Sequence, residues 1–242
     1  MSEQAYTSLA SWWPVLSPPQ DYDELAVLLM GVMQQGLTRP LKSFLELGSA
    51  TGHLGSHVPE QIELVLNDIR PEMLEVSRAL CPGREHVCGD LRTLNLDRRF
   101  DAVLIHDVLM YLLTPEDIEA AIQTAKRHLS PGGALLLVPD AVLETVQPGI
   151  AQGGGDSPDG RSARFLEWHH EPDAQGAFRV DFSFLLREAN GEIHQVHDVH
   201  QLQAHPYALY ERLLEEAGFE LVDPGELAEV HGGLLILAKL TD

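Results

Sequence analysis

One figure repeats between residues 42 and 138: a short unbroken apolar run, a tight break, then a stretch with apolar residues three or four positions apart. Residues 42–47, 62–67, 86–88, 101–106 and 134–138 are the runs, and their length and continuity predict strands. Residues 71–80 and 114–129 carry helical spacing, with Pro71 opening one and Thr114-Pro-Glu-Asp117 capping the other. A helix is also expected from Gly52 to Val58, stopped by Pro59, and another over 21–36, where Leu25, Leu28, Leu29 and Met33 share a face. Strands apolar on both sides that alternate with helices form a parallel sheet covered on both faces.

The rhythm then changes. Residues 149–160 are rich in Gly, Pro and Asp, and Gly153-Gly154-Gly155 lacks the Lys-Ser or Lys-Thr of a phosphate loop, so it is read as a mobile hinge or lid entrance. Residues 164–170, 178–187 and 192–203 follow as half-exposed antiparallel strands. In the middle one Phe178, Val180, Phe182, Phe184 and Leu186 face one side, and Asn190-Gly191 marks a hairpin. A helix over 206–217 closed by Gly218, then strands over 219–223 and 234–239, complete the chain. The expected fold is α/β: one doubly wound, mostly parallel seven-stranded sheet in a single domain. Residues 1–40 form an N-terminal helical cap, 41–144 the core, 145–205 an antiparallel β lid, and 206–242 the last helix and two strands.

Composition narrows the function classes. The 242 residues are 44% hydrophobic, enough for a sizeable core. The formal charge of −21, from 16 Lys+Arg against 37 Asp+Glu, argues against nucleic-acid binding and tolerates cationic ligands. Cys81 and Cys88 have no disulfide or metal-site spacing, so a reducing cytoplasm is expected. No apolar run approaches a membrane span. His194, His197 and His200 stand three apart on a strand, so they cannot converge on a metal.

Open parallel sheets bind ligands at the carboxyl tips of their strands. Here the tips read Glu46-Leu-Gly48-Ser49-Ala50-Thr-Gly52, Asn67-Asp68, Cys88-Gly89-Asp90-Leu91 and His106-Asp107. Small residues between strand and helix let backbone approach a ligand closely. Asp68 is placed to accept hydrogen bonds from ribose hydroxyls.

This ordered series resembles the Rossmann-like S-adenosylmethionine-dependent methyltransferases, whose first motif is an acidic residue followed by three alternating glycines. Glu46, Gly48 and Gly52 match, while Ala50 replaces the middle glycine. The resemblance covers residues 40–140 and, more loosely, the last two strands. It implies S-adenosylmethionine as cofactor, with Asp68 on the ribose, Ile69 and Met73 near the adenine, Asp90 on the adenine amine and Leu91 against the ring. His106 and Asp107 would line the methionine end, and Ser49 and Gly89 belong to the same turns. The antiparallel insert, and Asp198-Val-His200 ahead of the last helix, are similar to small-molecule N-methyltransferases of the glycine and amino-sugar type.

The implied reaction is in-line methyl transfer to an amine or hydroxyl of a small acceptor. Candidates to orient or deprotonate that acceptor are His106, Asp107, Tyr111, His169, His170 and His200. Trp12 and Trp13 either close over the ligand or anchor the cap. The protein is expected to be a monomer or homodimer. Two other readings are a nicotinamide-dependent reductase, disfavoured because the turn lacks Gly-x-Gly-x-x-Gly, and a non-catalytic S-adenosylmethionine-binding module.

Overall fold

The computed structural model describes residues 4–225, 229–230 and 233–241. The apolar runs form β1 (Ser43–Leu47), β2 (Glu63–Asp68), β3 (Glu85–Cys88), β4 (Phe100–His106) and β5 (Leu129–Val138), all parallel. After the lid strands β6 (Gly149–Gly153), β7 (Ser162–His169), β8 (Ala177–Arg187) and β9 (Ile193–Gln203) come β10 (Phe219–Val222), β11 (Glu229–Val230), β12 (Gly233–Leu234) and β13 (Ile236–Leu240). The main sheet has seven strands in the order β10-β13-β5-β4-β1-β2-β3, with β13 antiparallel to both neighbours. The chain reverses its winding direction between β1 and β4, which leaves a crevice over the strand tips.

The helices are α1 (Trp13–Leu16), α2 (Asp23–Gln35), α3 (Pro71–Leu80), α4 (Pro115–Arg127) and α5 (Tyr207–Glu216). Successive strand residues serve opposite faces. Leu45, Leu47, Val103 and Ile105 pack with Ile118 and Ile122 of α4 and Leu213 and Leu214 of α5. Phe44, Leu64, Leu66 and Leu104 pack with Leu29, Val32 and Met33 of α2. Each such side chain contributes roughly 1.5–3 kcal/mol by leaving water. Thr114 caps α4 as the sequence indicates, its hydroxyl accepting the Asp117 N–H at 3.2 Å.

The helix expected over Gly52–Val58 does not form. Gly52 sits at φ +73, a left-handed conformation from which no right-handed helix can start, and only a 3-10 turn follows at Gly55–His57. Pro59 also disfavours helix at Val58. The turn therefore presents no helix N-terminus: the N–H groups of Gly48 and Ser49 both donate to Asn67 O, at 2.9 and 2.8 Å.

The lid is an antiparallel sheet in the order β6-β7-β8-β9. The glycines read as a hinge are partly its edge strand: Gly153 belongs to β6, and a Cβ there would strike the Phe165 ring at 2.7 Å. The inner face of the lid is covered by the N-terminal segment, where Leu9, Trp12, Val15 and Leu16 meet Ala163, Phe184 and Leu186. A second apolar group joins Met110, after β4, to Phe178, Val180 and Leu202 of the lid. Among the described residues no helix is long and apolar enough to cross a membrane.

Candidate active site

The strand tips wall a cavity of about 420 Å³. Gly48 and Ala50 come from the turn after β1, Asp68 from the end of β2 and Ile69 from just beyond it, Gly89, Asp90 and Leu91 from the loop after β3, and Asp107 from immediately after β4. The opposite wall carries Tyr6 from the N-terminal segment, Tyr111, and Val199 and Gln201 of β9.

The β1 turn is tightly determined. Gly48 has φ +80, and a Cβ on it would lie 2.8 Å from Val108. Ala50, standing where the family pattern has glycine, is also left-handed at φ +47, and its N–H donates to Asp68 Oδ2 at 2.9 Å. Gly52 has another task. A Cβ there would meet Ser77 Oγ at 2.3 Å, so this glycine lets α3 close against the turn.

Asp68 accepts a second backbone bond, from Arg70 N–H to Oδ1 at 2.8 Å. Burial raises its pKa, and those two backbone donors oppose the rise. Asp90 is gripped by Arg92, whose Nη2 lies 2.6 Å from Oδ2, and this hydrogen bond lowers its pKa. Arg92 also reaches Asp117 on α4 at 2.6 Å. Arg92 thus links Asp90 to the first turn of α4.

Several predicted residues stand behind the wall rather than in it. Glu46 is buried, its Oε2 finds no hydrogen-bond partner among the described residues, and burial pushes its pKa up to about 8. Ser49 and Met73 are buried and do not line the cavity. His106 also lies behind the wall, its Nε2 3.1 Å from Asp107 Oδ1, with burial holding its pKa down to about 4.

On the opposite wall, side chains from distant parts of the chain form one line. Asp198 Oδ2 lies 3.2 Å from His200 Nε2, His200 Nδ1 lies 2.7 Å from the Tyr111 hydroxyl, and that hydroxyl lies 2.8 Å from Tyr6 Oη. Asp198 also accepts the Ala5 N–H at 2.8 Å and the Val199 N–H at 3.0 Å. With Asp198 Oδ2 accepting, His200 donates from Nε2 and accepts from Tyr111 through Nδ1. Trp13 stacks on Tyr6 at 5.7 Å and donates to Ala5 O at 2.6 Å. Trp13 therefore steadies Tyr6, while Trp12 is buried in the cap.

His169 and His170 do not join this line. His169 Nε2 lies 3.0 Å from Glu167, and His170 Nε2 lies 2.7 Å from Asp181 on the opposite lid face from His200. His197 also binds Asp181, at 2.8 Å. Sequence reasoning overlooked Tyr6 and the role of Asp198. The i, i+2 spacing of Asp198 and His200 places them on one strand face and was a usable signal. Nothing in the irregular N-terminal sequence pointed to Tyr6.

Residues 44–133 match the family described as methyltransferase domain. Over 76% of its length the chain is 27% identical to dTDP-3-amino-3,4,6-trideoxy-alpha-D-glucopyranose N,N-dimethyltransferase of Streptomyces venezuelae, covering 78% of that protein. The chain carries a Rossmann-like, S-adenosylmethionine-dependent methyltransferase domain. The crystal structure of Streptomyces venezuelae DesVI superposes on the methyltransferase with a TM-score of 0.80 at 23% identity, over 92% of each chain. S-adenosylmethionine-bound CalS10, an amino pentose methyltransferase from Micromonospora echinaspora, superposes with a TM-score of 0.75 at 22% identity, over 91% of this chain and 92% of that one. The cavity suits this cofactor: it is walled by glycine turns and carboxylates, and buried Glu46 Oε2 has no partner among the described residues.

Proposed function

We propose that this methyltransferase alkylates an amine of a small acceptor, of the nucleotide-linked amino-sugar class named for its relatives. The observation that carries the reading is the Asp198–His200–Tyr111–Tyr6 line, which brings hydroxyl groups to the cavity wall facing the cofactor-binding strand tips. Asp68 holds the ribose, Asp90 the adenine amine, Ile69 and Leu91 flank the ring, and Gly48 and Asp107 border the methionine end.

When bound, the cofactor supplies a methyl group on a positively charged sulfur. An amine attacks it only as the free base. Tyr6 and Tyr111 hold the acceptor nitrogen in line and take its proton. Tyr111 passes a proton to His200 Nδ1, and Asp198 stabilises the imidazolium formed. The lid and N-terminal segment keep bulk water from the reacting atoms. A relay of this kind would serve a hydroxyl acceptor equally well, and the preference for an amine rests on the relatives, both named as N,N-dimethyltransferases of amino sugars. Two free thiols, Cys81 buried and Cys88 exposed, suit a reducing cytoplasm.

Turnover of labelled S-adenosylmethionine with dTDP-amino sugars and their hydroxyl counterparts tests the reading. Label is expected in the amino sugars alone. Equal labelling of both, or of the hydroxyl compounds only, rejects the amine assignment.

A further inference from the structure

Strand alternation leaves two residues of β9 with main-chain groups directed at the crevice. In an antiparallel ladder a residue's N–H and C=O point the same way, and successive residues point to opposite sides. The Glu188 N–H donates to Glu192 O at 2.8 Å where the β8–β9 hairpin closes, and the Ala204 N–H donates to Gly176 O at 2.9 Å just beyond its far end. The register between those points is unbroken, with Val180 opposite His200 and Arg179 opposite Gln201. Even-numbered residues of β9 therefore bond β8, and the odd-numbered ones direct their N–H and C=O off the free edge. The neighbouring ladder agrees: the His170 N–H donates to Arg179 O at 2.9 Å, so odd-numbered residues of β8 serve β7.

Along the edge these groups are taken up until the crevice is reached. His197 O accepts from Gln4 Nε2 at 3.4 Å, and the Val199 N–H donates to Asp198 Oδ1 at 3.0 Å. Val199 and Gln201 then line the cavity. Among the described residues no hydrogen bond engages Val199 O or the main-chain N–H and C=O of Gln201. They lie on either side of His200, whose Nδ1 is 2.7 Å from the Tyr111 hydroxyl. The phenols that meet the acceptor nitrogen and the free edge thus belong to one stretch of wall. Val199 O needs a donor and the Gln201 N–H needs an acceptor. A hydroxyl is both. A peptide also pairs with a sheet edge, but with Gln4 on His197 and Asp198 on Val199 the open stretch is too short for an added strand.

We propose that the edge of β9 at Val199 and Gln201 is a subsite for the hydroxyl on the carbon next to the acceptor's amine, which donates to Val199 O and accepts from the Gln201 N–H. The inference rests on the amine-acceptor reading and narrows it to vicinal amino alcohols, the arrangement that amino-sugar rings carry. No covalent bond changes. With the nitrogen at the phenols and the hydroxyl at the edge, two points of the ring are fixed, and the nitrogen is turned toward the methyl group in the cofactor half of the crevice. An acceptor without that hydroxyl covers both main-chain groups and pairs neither, so it is rejected.

The test compares amine acceptors in pairs, each a dTDP-amino sugar and its counterpart lacking the hydroxyl next to the amine. Methyl transfer from labelled S-adenosylmethionine is expressed per free-base amine. Wild type is expected to favour the hydroxylated member by about 10- to 100-fold in kcat/KM, mostly through KM. Gln201→Pro removes an N–H that the ladder does not use, and edge strands accept proline there. It should cut the preference about tenfold in a protein that circular dichroism shows to be folded. Gln201→Ala keeps the main-chain N–H, and its ratio should stay within about threefold of wild type whatever its rate. Equal use of both members by wild type overturns the proposal. So does an undiminished preference in folded Gln201→Pro. Loss of the preference in Gln201→Ala also overturns it, assigning the hydroxyl to the side-chain amide. If Gln201→Pro does not fold, the wild-type and Gln201→Ala ratios decide. Turnover of peptide amines in preference to amino sugars overturns it in favour of strand addition. Absence of label in every amine would instead overturn the amine reading on which it rests.

Discussion

The two walls of the crevice are built by different means. On the cofactor side, each contributing residue sits at the end of a strand of one sheet, and the backbone fixes it: Asp68 is tied to the N–H groups of Ala50 and Arg70. On the opposite wall, four side chains from three regions meet through side-chain hydrogen bonds and ring contacts. Tyr6 and Tyr111 are 105 residues apart, and Tyr111 and His200 are 89 apart. The first wall is a property of the sheet and follows from local pattern. The second exists only when the lid, the N-terminal segment and the β4 loop have docked. The difference predicts that the walls can be damaged separately.

Asp68→Ala should have the largest effect on the cofactor wall. It removes the proposed ribose acceptor and two turn hydrogen bonds, and should weaken S-adenosylmethionine binding about 100-fold while circular dichroism shows an intact fold. Unchanged affinity would remove Asp68 from the site. Tyr111→Phe and His200→Ala should do the opposite, lowering kcat by roughly 10- to 100-fold with the S-adenosylmethionine Kd within twofold of wild type. A matched loss of cofactor affinity in both variants would show that the two walls are not separable.

Legibility in the sequence follows the same division. The parallel sheet announced itself because buried strands must be continuously apolar, as in Val103-Leu-Ile105. Asp68, Asp90 and Asp107 were found because a strand tip is a position one can count to. The lid strand was visible from the alternation of Phe178, Val180, Phe182, Phe184 and Leu186. The helix after Gly52 was misjudged because periodicity cannot show a left-handed glycine. His169 and His200 looked alike in sequence, and only strand pairing separates them: β7 is two strands in from β9, the edge that meets the cavity. Tyr6 was illegible because long-range hydrogen bonds leave no local trace.

Two smaller changes sharpen the contrast within the β1 turn itself. Gly52→Ala forces a Cβ to within 2.3 Å of Ser77 Oγ at a left-handed φ, and should cost about 2–3 kcal/mol in urea unfolding. Ala50→Gly relieves a left-handed alanine worth roughly 1–2 kcal/mol but loosens the unfolded chain by about 0.4–1 kcal/mol. The balance is a gain of about 0.5 kcal/mol, read as a small rise in Tm. A loss of stability would mean that the Ala50 methyl makes packing contacts that outweigh its backbone strain.

The contact between the Ala5 N–H and Asp198 has a practical reach. It stitches the beginning of the chain to the residue that supports His200. Fusing an affinity tag or a reporter at that end would tug on Tyr6 and Asp198 together, slowing turnover in a protein that still captures its cofactor normally. A preparation of that kind would be mistaken for an enzyme offered the wrong acceptor.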